Sequence, residues 1–132
     1  MKIHFYIFLA ISILFICNYA KAQDIAILPD MASISVNLDE LQLIQTLLEK
    51  CIHQYNADAK EKINLSDYKR QYIISFNSQQ EKEVWINCFC QVTSDDWKKN
   101  VVVVKDGGQC YFRLKINLVT KTCYDMSVNG KA

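Results

Sequence analysis

Four groupings in this sequence hold residue types that could do chemistry. Cys51 and His53 offer a thiol and an imidazole, the pair that makes an activated nucleophile when the two meet. They sit in an apolar-periodic stretch with helical spacing. Two residues on a helix are about 200° apart, so the side chains diverge and a dyad is not expected. His53 is the only histidine after residue 22, so a Ser-His-Asp triad or a multi-histidine metal site would depend on it alone. Cys88 and Cys90, with Cys110 further on, could gather three thiols on one face of a sheet. A zinc thiolate site needs two sets of cysteine pairs two to four residues apart. A disulfide or a cluster of buried thiols among Cys51, Cys88, Cys90 and Cys110 is therefore the expectation, with no metal and no cofactor. Asp95 and Asp96 are adjacent carboxylates that share their loop with Lys98 and Lys99, which reads as a solvated charge cluster. Gly107-Gly108 is too short for a phosphate loop and lacks the following Lys-Ser/Thr. None of these groupings assigns a catalytic residue.

A further grouping lies on the predicted strands. In 83–92, Val84, Ile86, Cys88, Cys90 and Val92 point one way, and Glu83, Trp85, Asn87, Phe89 and Gln91 the other. In 110–118, Cys110, Phe112, Leu114, Ile116 and Leu118 are inward, and Tyr111, Arg113, Lys115 and Asn117 outward. If these strands are neighbours, Trp85, Phe89, Tyr111 and Arg113 form an aromatic, cationic patch on the open sheet face. Such patches mark binding surfaces, the alternative being cross-strand packing that only stabilises the sheet.

The elements that must position these residues begin with a helix over 37–63. Leu41, Ile44, Leu48, Cys51, Ile52, Tyr55, Ala59 and Ile63 recur at three- and four-residue steps. Asn37 suits the N-cap, and Glu40 completes a capping box. Strands are expected at 68–76, 83–92, 110–118 and 122–129, with a short valine strand at 101–104 and a 24–28 run that could be an edge strand. Asp106-Gly107 signals a tight hairpin. For the last hairpin, a three-residue loop pairs Ile116 with Tyr124 and Leu114 with Met126; it keeps the apolar face coherent and turns Cys123 away from the helix. The fold class is thus α+β, one long N-terminal helix packed on a four- to six-stranded antiparallel sheet.

Length and composition set the compartment. The 132-residue chain opens with Lys2 and an apolar run closed by Ala20-Lys21-Ala22, a secretory leader over 1–22. An uncleaved anchor is the rival reading. Residues 23–132 form a single domain with no stable membrane span once the leader is removed. The leader carries two of the 15 basic residues and none of the 14 acidic ones, so the domain has a charge of 13 − 14 = −1. That balance gives no electrostatic case for binding nucleic acid. An exported, periplasmic or secreted location permits disulfides. Five of the six cysteines remain in the domain, so at least one has no intramolecular partner.

A helix followed by an antiparallel meander, with a short strand before it, resembles the cystatin-like architecture in element order. Inhibitory cystatins would imply a thiol-protease inhibitor. Their glycine near the N-terminus and their two hairpin motifs are missing: no glycine precedes Gly107, and no proline precedes Trp97 in its loop. The stretches Asp106-Gly107-Gly108-Gln109-Cys110-Tyr111-Phe112, Ile116-Asn117-Leu118 and Val128-Asn129-Gly130 are similar to the ends of small exported bacterial proteins of unknown role, which implies a shared fold. The functional expectation is a non-catalytic binding domain that takes a protein partner through the open sheet face. The alternatives are a cystatin-type inhibitor and a small enzyme with a pocket between helix and sheet.

Overall fold

A computed structural model describes residues 24–28 and 34–130. The leader assigned to 1–22 lies outside the described residues. β1 (Ile25–Leu28) is followed by α1 (Leu38–Asp58), β2 (Lys69–Phe76), β3 (Lys82–Phe89), β4 (Tyr111–Asn117) and β5 (Thr122–Val128). The strands form one sheet in the order β1-β2-β3-β4-β5. The sheet is mixed, which corrects the antiparallel expectation. β1 runs parallel to β2, with Ile25 beside Arg70 and Leu28 beside Ile73. The helix between these two strands is the crossover that a parallel pair requires. The remaining three pairs are antiparallel.

α1 starts where the capping box predicts. The Asn37 side chain accepts from the Glu40 N–H at 2.9 Å, and the Glu40 carboxylate accepts from the Asn37 N–H at 3.0 Å. Glu40 also receives the Lys82 ammonium at 2.8 Å, fastening the helix start to β3. That contact holds the Glu40 carboxyl below its ordinary value, against the opposing effect of its partial burial. The helix stops at Asp58, short of the expected 63. Asn56 supplies the reason: its amide donates to the Ile63 carbonyl and accepts from the Ile63 N–H, both at 2.8 Å. Ile63 reaches the core through that clamp and is 3 % exposed.

The inner face of the sheet receives the helix. Ile44, Leu48, Cys51 and Ile52 pack on Tyr72, Ile74, Val84, Ile86, Cys88, Phe112, Leu114 and Ile116 in one continuous core. Burying a side chain of this size contributes roughly 1.5–3 kcal/mol, and this layer supplies most of the fold's stabilisation.

The final hairpin departs from the expected register. Asn117 pairs with Thr122, Ile116 with Cys123 and Lys115 with Tyr124; an irregularity follows, and Phe112 pairs with Val128. Asp125 takes the left-handed conformation at φ 52°. This is a bulge, one extra residue that resets the alternation. It places Cys123, Met126 and Val128 all against the core. Cys123 therefore faces the helix, contrary to expectation, and is bonded to Cys51 with Cα atoms 6.4 Å apart.

Candidate interaction face

The sheet's outer face is not open along its whole length. Residues 91–109 leave the end of β3, cross the outer surface and return to β4 as a strap. Two of the expected elements within it are absent: the valines 101–104 join no ladder, and Asp106-Gly107 turns into the short helical turn Gly108–Cys110 instead of closing a hairpin. Gly107 is needed there. Its φ is 99°, and a Cβ at this position would collide with the Tyr111 ring.

The ends of the strap meet. Cys90 and Cys110 form a disulfide with Cα atoms 5.0 Å apart, and the Cys90 N–H donates to the Cys110 carbonyl at 2.9 Å. The pair continues the β3–β4 ladder by one rung. Cys90 and Cys110 are taken up by each other, which leaves Cys88 out of the pairing. Cys88 is free and fully buried, and burial pushes its thiol far above the ordinary range.

The body of the strap is tied to the sheet by amides. Gln71 is fully buried; its NH₂ donates to the carbonyls of Trp97 and Asn100, and its carbonyl accepts from Val102 N–H and from Asn87 at 3.0 Å each. Asn87 also donates to the Val102 carbonyl at 2.7 Å. Asn129 donates to the carbonyls of Val104 and Asp106. Trp97 then closes a second, smaller core. It meets Phe89 edge-on at 5.7 Å between ring centres, over Ala26 and Leu28.

This second core changes the expected patch. Phe89 does point outward, but it has no exposed surface and supports the strap from beneath. Tyr111 is half-buried against the same cluster. Trp85 is half-buried and Arg113 is exposed, and both stand beyond the edge of the strap. Cys51 lies in a disulfide while His53 is exposed on α1, so the helix carries no thiol–imidazole pair.

Depressions lie on this outer side. One, about 800 Å³, follows the strap and is lined by Lys69, Val92, Trp97, Val101, Val102 and Tyr111 among others. Its Lys69 is already paired with Asp24 at 2.9 Å and lies over the Trp97 ring. Another, about 600 Å³, is formed by Trp85, Arg113, Lys115, Asp125, Met126 and Ser127. A small one, about 40 Å³, adjoins it and is again bordered by Trp85 and Arg113, with Val103 and Val104 on the strap side. Next to them, the Tyr124 hydroxyl bonds to the carboxylate of Glu83. Partial burial and that carboxylate push the Tyr124 hydroxyl up to about 12. Among the described residues no three of His, Cys, Asp and Glu are grouped to hold a metal ion, and no helix is long and apolar enough to cross a membrane.

The amide residues Gln71, Asn87 and Asn129 escaped sequence reasoning, although they organise the outer layer. Their one signal was polarity at outward positions of apolar strands, which reads equally as solvation. No protein-family model, curated protein or solved structure matches this chain. The cystatin-like resemblance therefore rests on element order alone.

Proposed function

We propose that the protein is a small exported, non-catalytic interaction domain that takes a protein partner on the part of its outer sheet face left uncovered by the strap. The observation that carries this reading is the pairing of Trp85 and Arg113 at the border of two adjoining depressions. A half-buried indole beside a free guanidinium is the composition of interface hot spots. Phe89 and Tyr111 take the part of support for that surface. The two disulfides favour an oxidising, periplasmic or secreted setting, in keeping with the leader read from the sequence.

The test is capture of a stoichiometric partner from the cell envelope and culture medium by immobilised mature protein, competed by the same protein in solution. Trp85→Ser is expected to abolish capture, and Val119→Ser, in the β4–β5 turn, to leave it intact; far-ultraviolet circular dichroism should be unchanged for both. Capture that survives Trp85→Ser would place the function elsewhere.

A further inference from the structure

Five cationic side chains sit on the strands, and four have partners. Lys69 pairs with Asp24 at 2.9 Å, Arg70 donates to Gln45 at 2.7 Å, Lys82 pairs with Glu40 at 2.8 Å, and Lys115 meets Asp125 at 3.4 Å. Arg113 alone has no ion pair or hydrogen bond among the described residues. It is exposed, and its cross-strand neighbours offer no charge: Asn87 on β3 is engaged with Gln71 and Val102, and Ser127 on β5 is neutral. The Asp125 carboxylate in the same depression is turned to Lys115. Of the charged groups lining this depression, Lys115 and Asp125 are paired with each other, which leaves the Arg113 guanidinium with its donors unused.

Resting on the interaction reading above, we infer that the ligand of this face is an acidic, extended peptide segment that places a carboxylate on Arg113 and an apolar side chain beside Trp85. Arginine favours carboxylates because its planar donors match two oxygens at once. The rest of the lining selects a peptide over an acidic glycan. Val103, 77 % exposed, and Val104 border Trp85. These are surfaces for apolar side chains, and a hydroxyl-rich sugar would leave them unmatched. The depressions lie on one side of the sheet along β3, β4 and β5, so residues of one face of an extended chain can reach both in turn.

The experiment titrates ¹⁵N-labelled mature protein with three probes: an end-blocked hexapeptide alternating valine and glutamate, the same peptide with glutamine for glutamate, and oligogalacturonate. The Val–Glu peptide is expected to shift the Trp85 indole N–H and the Arg113 Nε–H saturably. The Val–Gln peptide should bind at least tenfold more weakly. Arg113→Gln should erase that difference, and Arg113→Lys should restore part of it. Equal binding of the two peptides, shifts confined to other residues, or shifts from oligogalacturonate without the Val–Glu peptide would overturn the inference. Loss of natural-partner capture in Trp85→Ser but not in Arg113→Gln would retain the interaction face and discard the acidic ligand.

Discussion

Two buried polar side chains on β2 show opposite solutions to the same problem. Gln71 spends both ends of its amide on the strap and on Asn87, so its burial leaves no donor unmet. Tyr72, one residue on and facing the helix, is 1 % exposed, and its hydroxyl has no hydrogen-bond partner among the described residues. A buried hydroxyl without a partner costs about 1–3 kcal/mol. Burial, only partly opposed by the charge of Arg70, pushes that hydroxyl up to about 12. An unfolded tyrosine ionises near pH 10. The folded state thus keeps its proton where the unfolded state loses it, and stability present below pH 10 is lost between about pH 10 and 12. Tyr72→Phe is expected to match or exceed the native stability in urea at pH 7. Phenylalanine has no proton to lose, so the variant's advantage should widen by roughly 2–3 kcal/mol as the pH rises to 12. A loss above about 1 kcal/mol at pH 7 would show that the hydroxyl is satisfied after all.

At the scale of elements, the bulge at Asp125 decides which side chains of β5 enter the core. Strict alternation allows either Cys123 or the pair Met126 and Val128 to face the helix, and sequence reasoning had to choose. One extra residue in the left-handed conformation lets all three in. Deleting Asp125 should convert the ladder to a regular one with Leu114 opposite Met126, and should preserve the Cys51–Cys123 bond. Peptide mapping under non-reducing conditions checks this; a free Cys123 in the deletion variant would refute the account. Legibility in the sequence follows from the same logic. α1 and the cores of β2, β3 and β4 were readable because their apolar residues repeat at the period of one element. The helix end was misplaced because Asn56 substitutes side-chain bonds for helical ones at Ile63. The parallel pairing of β1 and the course of the strap are tertiary choices that leave no periodic trace. Outward placement of Trp85, Phe89, Tyr111 and Arg113 was legible from alternation. Which of them a loop would cover was not, because Trp97 fills the space above Phe89 from a distant, irregular stretch.

The molecule has three layers, helix, sheet and strap, and one disulfide secures each outer layer to the middle one. Cys51–Cys123 spans 72 residues and joins α1 to β5; Cys90–Cys110 spans 20 and closes the strap. Loop-closure entropy assigns them about 4 and about 3 kcal/mol respectively. Replacing Cys51 and Cys123 by Ala should therefore lower stability by about 4 kcal/mol and weaken hydrogen-exchange protection throughout the sheet. Replacing Cys90 and Cys110 should lose about 3 kcal/mol, and protection should fall first in the amides of 91–109 that Gln71 and Asn129 hold. Uniform loss of protection in the second variant would mean that strap and sheet open as one unit. The strap has a further property that follows from its coincident ends. It departs and returns across a single rung, with 5.0 Å between the Cα atoms of Cys90 and Cys110. A foreign segment with the same end-to-end separation can be spliced between these two cysteines without changing the spacing of β3 and β4. The domain is thereby a scaffold for grafted sequence that again covers Phe89 and pairs the Gln71 amide, on which a new recognition surface can be drawn while the helix-facing core stays as it is.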